Sequence, residues 1–539
     1  MARIHIPPVL PRRFANGLRF GKEFRPVDPL GLADDGIAAG NANREVTRYL
    51  SAATQIDIGY ARNVVNRVIG ERFRALAPTF GVDVPVVVKW AIKALHTRAR
   101  RDTVLTGTLL ALIFCLALLF LSSWVSLLVP VILAVAWLIV SWEYWERIHR
   151  TVNGKMLKDR FEPREAPAPR SEADLKRLRE VAERRDGNLV VFSGHSAFTG
   201  SGNPVYRQRL LLDVSRKKDE EVAEDEDTNN NGNRKLAGLN GARGGPPEEH
   251  EDSGAGPGDF SSQDLHTAIA GAFDANSGLG RSLGNIRVYE RLFVNGLHIQ
   301  HDRRLLPDPF RPPPTSVGKE LLAAAAVHPS PEARTYVCVE MPGWQGQLVV
   351  TLFIRAVYAG GSLFVEWTFR VLPPLRADFL QIDRHYELPR NQQISDSLLH
   401  GLRDMVPALF LAPGRAVSWR RRSGVARRAQ ARQVYAIRRG YVFDYGARRS
   451  IREDACGQQR THYFLARDEA MYVLLAQQTL IRAVETFLDE HGVDLGAFRD
   501  QVKVIFDNSI NIGDIRDSKG IVIGDNSSAT VDDSSKGQK

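Results

Sequence analysis

Several groups of residues in this 539-residue sequence have types and spacings that bear on chemistry. Ser193-Gly194-His195-Ser196-Ala197-Phe198 follows an apparent strand and carries part of a nucleophile-elbow pattern. The elbow needs a second glycine where Phe198 stands, because the turn is too tight for a side chain. Gly194, Gly200 and Gly202 are not followed by the Gly-Lys-Ser/Thr of a phosphate loop, so a plain glycine-rich turn is the favoured reading. His298, His301 and Asp302 form a HxxHD cluster, but at a strand end, where the spacing does not put both imidazoles on one face. Glu366 lies in an apolar strand with Arg370 on its face and Arg355 on the partner strand, the pattern of an ion pair rather than a general acid. Cys115, Cys338 and Cys456 are far apart with no CxxC pair, which removes a disulfide framework and a cysteine zinc site and fits a reducing compartment. No catalytic residue, cofactor or metal is expected from these groups.

The elements that would position them are dominated by one feature. From Thr103 to Trp142 there are forty consecutive residues without a formal charge. A single helix of that length would reach about 60 Å, twice the ~30 Å of a hydrocarbon core. Two spans are the economical solution, Val104 to Leu121 and Val125 to Ser141, reversing at Ser122-Ser123-Trp124. Lys89, Lys93, Arg98, Arg100 and Arg101 precede the first span, and Arg147, Arg150, Lys155, Lys158 and Arg160 follow the second. Positive flanks place both ends in the cytoplasm, so the expectation is a multi-pass inner (cell) membrane protein with both termini cytoplasmic. The hairpin contains no Asp, Glu, Lys, Arg or His, which leaves nothing with which to build an ion path or proton relay and points to an anchor.

The fold class expected is an α+β multidomain membrane protein: a transmembrane helical hairpin with cytoplasmic helical and α+β domains. Residues 1–42 read as a Pro/Gly/Arg-rich arm and 43–102 as an N-terminal cytoplasmic helical domain, with Asn43 as a helix cap and Pro78 as the break. The hairpin takes 103–142, and a linker and charged helix take 143–186. Residues 187–387 form the α+β domain, with strands Asn188–Phe192, Tyr206–Val214, Ile286–Val294, Thr335–Glu340, Gln347–Tyr358 and Leu363–Leu372. Ala359-Gly360-Gly361 reads as the turn of a hairpin between the last two. The insertion 217–258 is acidic, then rich in Asn, Gly and Pro, and too poor in apolar residues to offset its ordering entropy. An Arg-rich helical region covers 388–500, where Pro407 interrupts a pattern opened by Ser397, and residues 501–539 form a β-repeat tail.

Within 415–449 there are eleven arginines against one acid, Asp444, a surplus equal to the +10 of the whole chain. Arg420, Arg421, Arg422, Arg427, Arg428, Arg438 and Arg439 are the candidate contacts to anionic lipid, each worth ~1 kcal/mol near such a surface. Trp419, Tyr435 and Tyr441 between them would suit stacking on bases, but nucleic acid is the less favoured partner.

The tail repeats itself: Ile510-Asn511-Ile512-Gly513-Asp514 recurs as Ile521-Val522-Ile523-Gly524-Asp525. Each copy reads as a short strand and turn, and strands this short need a neighbour or stacked copies of themselves. Asn508 to Asp514 resembles the RIP homotypic interaction motif and its bacterial amyloid-signalling relatives, with Asn511 and Val522 where Gln is usual. The resemblance implies homotypic assembly through Ile510, Ile512, Gly513, Ile521, Ile523 and Gly524, in a setting of regulated cell death. The remainder resembles a family of actinobacterial two-span membrane proteins, on Arg44-Glu45-Val46-Thr47-Arg48-Tyr49-Leu50, Val190-Val191-Phe192-Ser193-Gly194, Leu292-Phe293-Val294-Asn295-Gly296, Leu305-Leu306-Pro307-Asp308-Pro309 and Leu372-Pro373-Pro374-Leu375. That resemblance brings no activity with it.

The function expected is a non-enzymatic membrane adaptor. Its partners would be membrane lipids, a cytoplasmic protein assembly and further copies through the tail; a phage-tail-like contractile injection particle is a conjectural cargo. The alternatives are a membrane-bound enzyme with its site near His195, Ser196, His298 and His301, and a sensor of anionic lipid or nucleic acid.

Overall fold

The computed structural model describes residues 37–118, 126–183, 187–215, 260–274, 277–283, 286–328, 330–384, 389–457 and 463–515. Most of the N-terminal arm, all of the 217–258 insertion and the second tail repeat lie outside them. The fold is mixed α+β, as expected.

The N-terminal helices are α1 (Ile37–Ile56) and α2 (Ile58–Val65). One helix is expected from Asn43 towards Pro78; it starts earlier and divides at Asp57, whose carboxylate accepts the Gly59 and Tyr60 N–H groups as a new cap. Two long apolar helices follow, α3 (Val84–Leu118) and α4 (Leu128–Tyr144), then the charged α5 (Glu172–Glu183). The Arg44–Leu50 motif is structural: Arg44 donates to the Phe161 carbonyl, and buried Arg48 bonds Glu45, Asp383 and the Met156 carbonyl. The core beneath these helices takes Val46, Leu50 and Trp90 together with Met156, Phe161, Leu178, Phe379 and Ile451, so it is assembled from segments far apart in sequence.

The described strands form one sheet: β1 (Leu189–Phe192), β2 (Asn203–Asp213), β3 (Arg287–Asn295), β4 (Ala333–Gly343), β5 (Leu348–Ala359) and β6 (Ser362–Leu372). All overlap the strands expected from sequence. Their order is β1-β3-β4-β5-β6-β2, antiparallel except for β1 beside β3. Gly360 and Gly361 turn β5 into β6 with φ of 58° and 77°, the left-handed pair that a two-residue hairpin requires. One sheet face, including Leu352, Ile354, Val365 and Trp367, is covered by α6 (Ser262–Ala272), α9 (Tyr463–Glu490) and α10 (Gly496–Ile515). Two further helices are α7 (Lys319–Val327), against β3 and β4, and α8 (Arg390–Arg438).

Two expectations are corrected. Pro407 does not interrupt its helix, because α8 runs through both Pro407 and Pro413. Each proline removes a backbone bond and costs about 3 kcal/mol in a helix interior; the packing that offsets this comes from α3 and α4 on the inner face of the segment. The first tail repeat is not a strand: Ile510, Ile512 and Gly513 continue α10, which extends to Ile515.

Candidate membrane interface

α3 and α4 are long and apolar enough to cross a membrane. Of the residues predicted to bound the spans, Val104 stands exposed on α3, Ser141 is buried on α4, and Leu121 and Val125 lie outside the described residues. Leu105, Leu109 and Leu112 recur at helical spacing and pack against Ala136 and Val140 of α4. The other faces point outward with large apolar side chains: Leu110, Ile113 and Phe114 on α3, and Val131, Leu138 and Trp142 on α4.

A third helix completes the bundle; the sequence pattern opened by Ser397 marks it as helical but not as packed on the hairpin. Ala408, Leu409 and Ala412 of α8 enter the same apolar cluster. Trp137 donates to the Leu398 carbonyl at 2.8 Å, and His400 stacks on Tyr144 with ring centroids 3.9 Å apart. At Gly401 the helices meet so closely that a Cβ would fall 1.9 Å from Ser141 Oγ.

At the base of the hairpin the charges form a buried girdle. Glu143 receives Arg98 at 3.0 Å, Arg101 at 3.3 Å and Arg147 at 2.6 Å. Asp102, fully buried, holds Arg101 at 2.7 Å and accepts from the Trp419 indole of α8 at 3.3 Å, with Arg415 at 3.7 Å. Arg147 also donates to the Gln55 carbonyl, which ties α1 into the same knot. Buried charges persist only when paired, and here every carboxylate has more than one cation. In the sequence Arg98, Arg101 and Arg147 read as flanking positive charge; the structure uses them against these two acids. A signal for this exists, since Asp102 and Glu143 are the residues that bracket the forty-residue uncharged run.

The arginine candidates lie along the second half of α8. Arg420, Arg421, Arg427, Arg428, Arg438 and Arg439 are exposed, whereas Arg422 is half-buried over the Trp419 ring at 4.2 Å. Trp419 is therefore occupied between Arg422, Arg62 and Asp102 rather than offered for base stacking.

The groups with types suited to chemistry are held in structural contacts. Glu453 Oε1 accepts the Gly200 and Gly202 N–H groups, each at 3.0 Å, so the glycine-rich turn is capped by the protein's own carboxylate. Glu366 pairs with Arg355 at 3.3 Å and accepts from Tyr336 at 2.8 Å; Arg370 instead donates to the Gly202 carbonyl. His298 faces Glu332 and Asp302 faces Arg304, and among the described residues no group of three or more His, Cys, Asp or Glu could hold a metal ion. His195 and Ser196 are exposed at the end of β1, the same sheet end as His298 after β3. Burial pushes the Cys338 thiol up to about 12 and the Cys456 thiol up to about 11, away from a reactive thiolate. The tail candidates Ile510, Ile512 and Gly513 lie on α10, and Ile521, Ile523 and Gly524 lie outside the described residues.

No curated protein and no solved structure matches this chain. The model of the AbeC-like domain family matches residues 232–519, from before β3 through α8 to the end of α10, leaving the hairpin and the N-terminal helices outside the match. Because that match covers more than half of the sequence, the chain belongs to the AbeC-like domain family.

Proposed function

We propose that the chain is a non-enzymatic adaptor of the inner membrane. The hairpin anchors it with both flanks cytoplasmic, and the α+β body holds a cytoplasmic protein partner or assembly at that surface. The observation that carries this reading is the outward row of large apolar side chains on α3 and α4, ended at its base by the buried girdle. In water such a surface is unfavourable by about 25 cal/mol per Å²; lipid tails are as apolar as leucine and cover it without that cost. Lys89 and Arg100, outside the girdle, support the cytoplasmic assignment of the flanks.

The test is affinity purification of the tagged full-length protein from crosslinked, detergent-solubilised membranes, with mass spectrometry of the eluate. The adaptor reading expects a cytoplasmic protein assembly that is lost when the body is deleted. Recovery of the chain with only itself and lipid would contradict it.

A further inference from the structure

The α8 segment from Leu398 to Val417 leaves a second apolar surface unexplained by the hairpin. Its inner face is packed on α3 and α4 through Ala408, Leu409 and Ala412. Beside that face, Leu399, Leu402, Val406, Phe410 and Val417 recur at helical spacing and are 45–70% exposed. In a soluble bundle this stripe would face water. Here it stands next to the outward apolar faces of the two candidate spans.

The ends of the segment fix how it lies. Near its start, Asp396 meets His149 at 3.1 Å and Tyr144 at 3.4 Å, beyond the last residues of the second span. Near its finish, Arg415 and Trp419 meet Asp102, just before the first residue of the first span. Both ends are thus tied to the same end of the hairpin, although residues 398–417 are about 30 Å long as a helix. A helix that began on one membrane face and ended on the other could not make both sets of contacts. His400 pairs with Asp404 at 3.6 Å, and exposed Arg403 borders the stripe beside Leu399 and Phe410, where its long side chain can reach the headgroups. Arg420 and Arg421 follow directly.

Resting on the membrane anchor proposed above, we infer that residues 398–417 form a third membrane-embedded element, an in-plane helix at the cytoplasmic leaflet. The occupant of its Leu399–Val417 stripe is the acyl-chain layer of the bilayer, continuous with the lipid around the hairpin. An amphipathic helix of this kind buries its apolar face at the boundary of headgroups and acyl chains, with basic residues towards the headgroups. α8 continues through Pro407 and Pro413 with its inner face packed on α3 and α4, and in the turns beside Pro413 the Arg415 side chain donates to the Ala408 carbonyl at 2.8 Å.

The test uses the full-length protein reconstituted in vesicles of phosphatidylglycerol and phosphatidylethanolamine, doped with a lipid carrying a photoactivatable diazirine on its acyl chain. Adducts are mapped by peptide mass spectrometry. Labelling of Leu402, Val406 and Phe410 is expected at a level comparable to Leu110 and Phe114, and at least about tenfold above Ala429 to Ala431 on the arginine-rich half. Labelled Leu110 and Phe114 with an unlabelled stripe would overturn this inference and leave the anchor standing. An unlabelled stripe that crosslinks to a second copy of the chain would overturn it in favour of self-association. If Leu110 and Phe114 are also unlabelled, both this inference and the membrane anchor fail.

Discussion

On the sheet, Leu352, Ile354 and Val365 are sealed beneath α6 and α9, while the outward positions of edge strand β2 carry Arg207, Arg209 and Asp213. On α3, α4 and the first half of α8 the same apolar residue types stand on the outside, and at the base of the hairpin Arg98, Arg101, Asp102, Glu143 and Arg147 are gathered inside. The sheet body keeps its apolar core closed within itself, with Leu211 standing exposed among those outward charges of β2. The bundle carries its large apolar side chains outward and collects its paired charges at the base of the hairpin, the arrangement the proposed membrane anchor requires. Buried charges also occur away from the hairpin, as Arg48 with Glu45 and Asp383 and as Arg452 on the Gly346 carbonyl; the girdle differs in gathering five charges at the foot of an apolar hairpin.

The contrast is broken most sharply at Glu143. Glu143→Leu would leave Arg98 and Arg147 without their carboxylate and Arg101 with Asp102 alone, and a loss of about 3–5 kcal/mol is expected, read as a lowered unfolding midpoint in detergent. Glu366→Gln on the half-exposed sheet pair is the matched control and should cost about 1 kcal/mol or less. Equal effects from the two would erase the distinction between the regions.

His266 of α6 probes the sheet body by pH. It is fully buried, its Nε2 accepts the Ala356 N–H at 3.0 Å, and burial, with Arg355 nearby, lowers its pKa to about 4. Glu290 lies 3.8 Å from Nδ1, too distant to reverse the burial effect. The folded state binds the proton more weakly than the unfolded chain, so this group's stability is complete above about pH 6.5 and is lost as pH falls towards 4. A loss of about 3 kcal/mol across that window is expected in urea titrations, and His266→Asn should remove the slope.

Gly401 sharpens the picture of the bundle. Gly401→Val would drive a side chain into Ser141 and should cost about 1–3 kcal/mol. Gly424, farther along the same helix, has nothing within 4 Å of where a Cβ would stand, and Gly424→Ala should be neutral or stabilising. A further effect is expected on lipid. Arg427→Gln with Arg428→Gln should weaken preference for anionic over neutral vesicles by about 1 kcal/mol per charge, measured by reconstitution efficiency.

The strands are legible in the sequence because β-branched and aromatic runs ended by glycine turns have few other uses, and β5-Gly360-Gly361-β6 is the clearest case. The hairpin is legible for the same local reason, a long run without charge. α8 is not, because Pro407 and Pro413 read as breakers and the packing that holds them comes from α3 and α4, about three hundred residues earlier. The girdle is half visible: its arginines stand out as flanks, but their pairing with Asp102 and Glu143 depends on two antiparallel helices meeting. The first tail repeat misleads, since an Ile-x-Ile triplet suits a strand locally while the preceding turns of α10 extend the helix through it. The N-terminal core is illegible in principle, because Phe161, Phe379 and Ile451 reach Leu50 only in three dimensions.

The central claim is that the hairpin crosses the membrane and returns, leaving both flanks in the cytoplasm. The direct measurement is protease protection of the full-length protein carrying an epitope tag at each end, in intact spheroplasts and in inverted membrane vesicles. The claim predicts that both tags survive in spheroplasts and that both are removed in inverted vesicles. Removal of either tag in intact spheroplasts, or recovery of the protein in the soluble fraction, would contradict it.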